Sequence, residues 1–242
     1  MKRILIAIVA ILCLSAQVSA INFGNFATNI VQSKLNAFAK DLGPVLGGGT
    51  YSGANCGFPG FDISAKLVMV SSASSDDVIL PANSAFGLPF AQIEVGLPMN
   101  IIPMFRIFTI SPENGGTLTV MGGGIKYKLS DDQAILPAVA VSGTYHFFSG
   151  YSAFDFNALS FNLILSKGLS PLPVSLYAGA GVDFSNITSK VPGLGLGVTG
   201  SGTSFRYNIG ARLTILPVIY INGDIGYANS SLAYSFGAGA AF

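Results

Sequence analysis

The chain contains no tryptophan, a single histidine and two cysteines, and only 10% of its 242 residues carry charge. Each scarcity excludes something. One histidine, His146, cannot build a multi-histidine metal centre. Cys13 falls in an N-terminal apolar run and Cys56 is the only cysteine beyond it, so an exported mature chain has no intramolecular disulfide to staple it. Lys and Arg total 12 against 11 Asp and Glu, which leaves no basic field for nucleic acid or anionic lipid. Soluble domains carry roughly a quarter charged residues; here half the residues are hydrophobic and mean hydropathy is +0.60. Yet beyond residue 20 no apolar run reaches the length of about 18 that a spanning helix needs. High apolarity without long apolar runs is the composition of a membrane β-barrel, in which lipid-facing and lumen-facing residues alternate.

Lys2 and Arg3, the apolar stretch Ile4 to Leu14 and the small-residue pattern Val18-Ser19-Ala20 read as an export signal spanning 1–20, cleaved near Ala20. Leu12 before Cys13 is too bulky for a lipoprotein site. In residues 21–57, Phe23, Phe26, Ile30, Leu35, Phe38 and Leu42 recur at helical spacing, with Asn29, Ser33, Lys34, Asn36 and Lys40 between them. This predicts an amphipathic helix over about Asn25–Leu42, stopped by Gly43-Pro44 and followed by the glycine-rich passage Gly47-Gly48-Gly49. Phe26, Ile30, Lys34, Leu35 and Phe38 mark it as a cap over the barrel mouth, a plug in the lumen, or an element docked on the membrane surface.

From residue 58 to 242 the period is two. Phe61, Ile63, Ala65, Leu67 and Met69 alternate with Asp62, Ser64 and Lys66. Val174 to Phe184, Phe205 to Ile215 and Leu232 to Phe242 repeat the pattern with Gly, Ser, Thr and Asn on the polar phase. Weaker candidates lie near 90–97, 103–110, 117–129, 135–147, 155–166 and 218–227. The expected fold is a closed antiparallel transmembrane β-barrel of about ten strands, eight or twelve being the alternatives, with an N-terminal helix. A soluble sandwich would need a far more charged outer face. Met121-Gly122-Gly123-Gly124 suggests a bulge. Short connections near 97–102, 130–133, 166–173 and 216–217 read as periplasmic turns, and 71–89 and 185–202 as longer outer loops. Tyr145, Phe147, Phe148, Tyr151, Phe154, Phe156, Phe184, Phe205 and Tyr227 gather near the outer ends as an interfacial girdle.

Tyr234, Phe236 and the terminal Phe242 share one face of the last strand, which resembles the C-terminal signature read by the outer-membrane barrel assembly machinery. Leu42-Gly43, Leu46 to Gly49, Gly57 to Ile63, Leu88-Pro89 and Gly96-Leu97-Pro98 together resemble an uncharacterised family of bacterial outer-membrane proteins. The layout, an N-terminal segment before the barrel, is similar to that of long-chain fatty-acid transporters, from which no residue motif maps onto this chain. The resemblance implies a bacterial outer-membrane location and contact with outer-membrane lipid.

The lumen phase carries Asp62, Lys66, Glu94, Arg106, Lys126, Lys128, Asp183, Arg206, Arg212 and Asp224, expected to pair because an unpaired buried charge is costly. A plugging helix would set Lys34 and Lys40 against Asp62 or Glu94. Ser142 and His146 are four residues apart, about 13 Å at strand rise and too far for a direct hydrogen bond. Asp76-Asp77 and Asp131-Asp132 read as solvated loop pairs, without the oxygen set a calcium site needs. No cofactor and no catalysis are expected. The favoured function is a non-enzymatic barrel that binds or passes a small hydrophobic or amphipathic molecule through a narrow gated lumen. The alternatives are a structural or surface-interaction barrel with a charge-paired lumen, whose outer loops contact partners, and a lipid-modifying enzyme.

Overall fold

A computed structural model describes residues 23, 25–55, 57–80, 85–110, 117–193 and 195–242. The expected export signal over 1–20, Cys13 and Cys56 lie outside them. Among these residues ten strands follow one α-helix: α1 (Gln32–Gly47), β1 (Gly60–Val70), β2 (Phe86–Gly96), β3 (Ile101–Ile110), β4 (Leu118–Ser130), β5 (Ala138–Ser149), β6 (Phe154–Gly168), β7 (Val174–Ser189), β8 (Thr199–Thr214), β9 (Ile219–Ala228) and β10 (Ser231–Ala241). Each pairs antiparallel with its sequence neighbours, and β1 pairs with β10, from Asp62↔Ala241 to Val70↔Ala233, so the sheet closes on itself. Closure leaves no free sheet edge, which lipid would otherwise have to solvate.

The dyad decides what faces where. In β8, Phe205, Tyr207 and Ile209 stand outside, Ile209 being 62% exposed, whereas Ser204 and Arg206 are buried inside. The same inversion runs round the wall: Ile125, Tyr145, Leu163, Leu176, Ile225 and Phe236 are exposed, and Lys66, Glu94, Lys126, Asp183 and Asn222 are buried. An apolar exterior around a polar interior is the reverse of a water-soluble sandwich and suits acyl chains.

The barrel has two distinguishable ends. At the near end, β1 begins and β10 stops, with the Phe242 N–H donating to the Phe61 carbonyl at 2.8 Å. The near-end turns are 97–100, 131–137, 169–173 and 215–218; the far end carries the longest connection, 71–85. β7 and β8 extend further towards the far end than their alternation suggested, reducing the loop between them to 190–198. The bulge expected at Met121–Gly124 is absent. β4 runs regularly there, with Gly122 and Gly124 lying beneath His146 and Thr144, and its register shifts at Lys128/Ser130 instead.

The helix is displaced from its expected span. Phe26 and Ile30 precede it, residues 25–28 forming a turn, and it continues through Gly43-Pro44 to Gly47. Pro44 has no N–H to offer the Lys40 carbonyl, which would break a free helix. Here that carbonyl accepts a 2.5 Å hydrogen bond from the Ser204 hydroxyl of the wall, so the helix passes the proline with its acceptor satisfied.

Ile209 lies mid-strand on the lipid face, opposite Ala178 and Ile225. Ile209→Arg is expected to destabilise the barrel by about 2–4 kcal/mol in urea unfolding from bilayers, the range for an arginine at the midplane.

Candidate functional site: the plugged lumen

The helix stands inside the barrel, so it is a plug and neither a cap nor a surface element. Two faces of α1 explain the fit. Leu35, Phe38, Ala39, Leu42, Val45 and Leu46, all fully buried, meet an apolar stretch of inner wall from β1 to β6: Val68, Val70, Phe86, Leu88, Phe90, Leu118, Val120, Phe148, Phe154 and Phe156. The opposite face, Asn36, Lys40, Gly43 and Gly47, lies against small residues of β7 and β8. A Cβ on Gly202 would come within 2.5 Å of the Lys40 nitrogen, and one on Gly200 within 2.5 Å of the Leu35 Cβ. Those wall positions have to be glycine for the helix to seat.

Polar contacts fix its height. The Ser201 N–H donates to Asn36 Oδ1 at 2.8 Å. Asp41, buried, accepts from the Ser74 N–H at 2.7 Å and from the Asn229 amide, tying the 71–85 connection and the β9–β10 turn to the helix. At the helix C-terminus the fully buried Arg106 donates from Nη1 to the Leu46 and Gly48 carbonyls at 2.9 and 3.0 Å and stacks 4.2 Å above the Phe90 ring. A cation at this end complements the helix dipole. Below it the chain continues down the lumen: the Gln92 amide donates to the Thr50 carbonyl, the Tyr51 hydroxyl to Asn208, and the Ala54 N–H to Ser166.

The lumen charges pair only in part. Glu94 and Lys126 are 2.6 Å apart, Arg206 grips Asp183 with two hydrogen bonds at 2.6 and 2.9 Å, and Arg212 lies 3.5 Å from Asp62 while stacking on Tyr220. Lys66 donates instead to Asn222, and Asp224 accepts from Tyr177 and Ser235. Arg106 faces no carboxylate within bridging distance among the described residues. Lys128 sits at the near rim with Asp131. Lys34 and Lys40 do not reach Asp62 or Glu94, because the helix begins at the far end. Lys34 approaches the Asp76 carbonyl at 3.4 Å, and Lys40 is exposed.

Two further expectations are corrected. Phe148, Tyr151, Phe154 and Phe156 belong to no girdle. They are buried around Phe23, Phe26 and Phe38, in phase with lumen residues such as Ala158 and Ser160, and close the far mouth with edge-to-face contacts such as Phe23–Phe154 at 5.3 Å. Tyr145, Phe147, Phe184, Phe205 and Tyr227 do face outward. Asp77 is not solvated either. Its Oδ1 accepts from the Ile79 and Leu80 N–H groups at 2.8 and 3.1 Å, folding those two side chains into the apolar cluster. Asp132 pairs with Lys167.

Two features of the site carry no sequence signature. The first is a seam. β2 and β3 pair over only four positions, Ala91↔Ile107 to Glu94↔Met104. Towards the far end residues 86–90 stay with β1 and 108–110 with β4, but the ladder between them stops. Pro89, which has no N–H to give, lies in this stretch. Inward-phase Phe108 and Ile110 are only half-buried there, although they pack against the apolar cluster, whereas Gly87 and Pro89 are buried. The second is a set of polar atoms without protein partners along the inner wall from β3 to β6: Nε and Nη2 of Arg106, both ring nitrogens of His146, and the hydroxyls of Thr144 and Ser160. Strand register brings Arg106, Gly122 and His146 into one row.

A closed, lipid-facing antiparallel barrel with its own helix in the lumen is a protein of the outer-membrane β-barrel class. The chain belongs to a family of unknown function (DUF6588), whose model matches residues 79–242. No curated protein matches it. Among solved structures it is similar to the N-terminal β-barrel domain of Pseudomonas aeruginosa OprF, at 14% identity and a TM-score of 0.40, covering 76% of this chain and 98% of that one. It is also similar to Neisserial surface protein A, at 12% identity and a TM-score of 0.35, covering 75% and 95%. A third is the Yersinia pestis attachment invasion locus protein Ail, at 13% and 0.33, covering 76% and 99%. The assignment to the class rests on the closed strand pairing and inverted polarity rather than on these alignments.

Replacing Arg106 by glutamine removes the charged donor that holds the helix C-terminus. It is expected to lower stability by about 1.5–3 kcal/mol, the range for hydrogen bonds to a charged group, read as a reduced midpoint of heat-modifiable gel migration. The Asp77 connection carries a pH dependence. Burial pushes its carboxyl up to about 6, with Asp41 adding to the rise and Lys34 and the two backbone N–H groups opposing it. The docked loop therefore holds the proton more tightly than the released loop, and docking strengthens as pH falls from 7 through 6 and weakens as pH rises. The protection factors of the Ile79 and Leu80 amides, taken against the intrinsic exchange rate at each pH, should rise between pH 7 and 5, and Asp77→Asn, which keeps the accepting oxygen, should remove most of that rise.

Proposed function

We propose that this protein is a non-enzymatic barrel of the bacterial outer membrane, exported by its N-terminal signal, that takes a small hydrophobic or amphipathic molecule sideways between lumen and bilayer. The β2–β3 seam carries this reading. It is the longest stretch among the described residues where two adjacent strands both continue without pairing, and directly behind it lies the apolar half of the lumen. A break in a ladder that faces lipid is unfavourable unless something satisfies the backbone there, so its presence over an apolar interior supports a gate. The helix fills the axis, which argues against an open aqueous pore. The apolar stretch above Arg106 suits a hydrocarbon body, and the unpartnered Arg106, His146 and Thr144 atoms suit a polar end. Asp41, Ser74 and Asn229 hold loop and helix together, making them the parts that would move.

A lipid-modifying enzyme is less well supported. His146 lies over Gly122 near the Phe90 ring and makes no hydrogen bond to a hydroxyl or carboxylate. The exposed Phe236 and Phe242 on the last strand, with half-buried Tyr234, support recognition by the barrel assembly machinery.

A photoactivatable alkyl diazirine added to the protein in lipid vesicles tests the lateral route. Outward residues such as Phe105 and Ile107 will be labelled in any membrane barrel. Lateral access requires adducts on inward-phase Phe90, Phe108, Ile110 or Val120 as well, mapped by mass spectrometry. Adducts confined to outward residues would overturn the proposal and favour the structural, surface-interaction reading.

A further inference from the structure

The direction in which the helix runs has a topological outcome. Followed from its start, Asn36 meets Ser201 and Lys40 meets Ser204 at the far end of β8, Gly43 lies against Ser185, and Gly47 lies against Asp183 and Ser160 at mid-height. Tyr51 then reaches Gly179 and Asn208, Ala54 reaches Ser166, and the chain enters β1 at the near end. The chain thus descends the whole lumen before its first strand. The described residues that precede the helix stand at the opposite mouth from the barrel's first and last residues, and they are fixed there: Phe23 and Phe26 are buried against Tyr151 of the β5–β6 connection and Phe154, the first residue of β6. Around those two anchors Asn25, Ala27, Thr28, Val31, Gln32 and Ser33 are exposed.

Which mouth is outside follows from the connections. Outer-membrane barrels keep short turns on the periplasmic side and their longer loops outside. The near end here has turns 97–100, 131–137, 169–173 and 215–218 and holds both barrel termini, whereas the far end has the longest connection, 71–85. We infer that the chain passes its own N-terminal segment through the barrel and presents residues 25–33 on the outer face of the cell, an uncharged amide- and hydroxyl-bearing surface held by an aromatic anchor. This rests on the outer-membrane reading but not on lateral uptake. A barrel with its N-terminus left in the periplasm would have no such surface. The arrangement also makes the N-terminal segment and the 71–85 connection neighbours, joined through Asp41 to Ser74 and through Lys34 to Asp76.

Single cysteines test it in the full-length protein carrying Cys56→Ser, expressed in a Gram-negative host, with the Cys56→Ser parent as the blank. Ala27→Cys probes the segment, Ser75→Cys the far-end connection and Leu172→Cys the near-end turn; all three positions are exposed. With a membrane-impermeant maleimide on intact cells, Ala27→Cys should label to the same level as Ser75→Cys, while Leu172→Cys labels only after the outer membrane is permeabilised. Ala27→Cys behaving like Leu172→Cys would overturn the inference, as would labelling of Leu172→Cys alone on intact cells, which would mean a reversed barrel. Recovery of all three in the soluble fraction would instead refute the outer-membrane reading on which the inference stands.

Discussion

Every backbone N–H and C=O that lipid surrounds needs a partner inside the protein, and this one constraint shapes the rest of the chain. Closing β1 on β10 satisfies it for most of the wall, the β2–β3 seam being the chief exception. Closure then creates an interior, and a ten-stranded interior is too wide for side chains as small as the Gly, Ser and Ala of β7 to β10 to fill. The helix supplies the missing volume. Its backbone groups are satisfied within α1 and, where Pro44 and the helix end leave carbonyls over, by Ser204 and Arg106 of the wall; its apolar face completes a core with β1 to β6, and its narrow face sits where the wall is made of Gly200, Gly202, Ser185 and Ser204. Wall and plug are therefore one folding problem. Small residues that weaken a packed core elsewhere are required here, because the partner they meet is a helix backbone.

The interior is divided by chemistry. The far half holds aromatic and aliphatic side chains; the near half holds ion pairs and tyrosine hydroxyls. Arg106 lies at the boundary, reaching the helix end with one nitrogen and stacking on Phe90 with its plane. An arginine suits this position better than a lysine, since its planar charge packs against a ring while donating along its edge. Removing only one member of the near-half pairs would strand the other in a dry site, so these networks favour one arrangement of the lumen over alternatives.

Much of the wall was legible in the sequence, because alternation is a local property. Phe205 to Ile215 reads as lipid-facing whatever lies within the barrel, and the charged residues fell on the inner phase for the same reason. The errors came where a residue's meaning depends on what stands opposite. Phe148, Phe154 and Phe156 have the composition of a girdle, and only their phase, shared with Ala158 and Ser160, assigns them to the core. Gly43-Pro44 stops a helix that has water beside it, but not one with the Ser204 hydroxyl waiting at the Lys40 carbonyl. Asp76-Asp77 looked like a solvated pair because nothing in the local sequence reveals that Ile79 and Leu80 fold inward and take Asp77 with them. The early end of the β2–β3 ladder left no sequence mark beyond Pro89, a residue that is equally at home in several kinds of strand edge.

The seam and the plug need to be considered together. A plug alone makes a closed barrel, and a seam alone makes a weak wall. Here the side chains nearest the seam, Phe90, Phe108 and Ile110, are packed against the same cluster that holds Leu42, Leu46, Ile79 and Leu80. Movement of the helix or of the 71–85 connection would therefore loosen the inner support of the longest interruption in the backbone ladder among the described residues. Shifting the helix along the axis would also have to break the Arg106 bonds and lift Gly43 and Gly47 out of their seats. Releasing the connection has to break the Asp41, Lys34 and Asp77 contacts at the far mouth and withdraw Ile79 and Leu80 from the apolar cluster. On the lateral uptake proposed above, either movement would open towards an apolar space rather than a channel for ions.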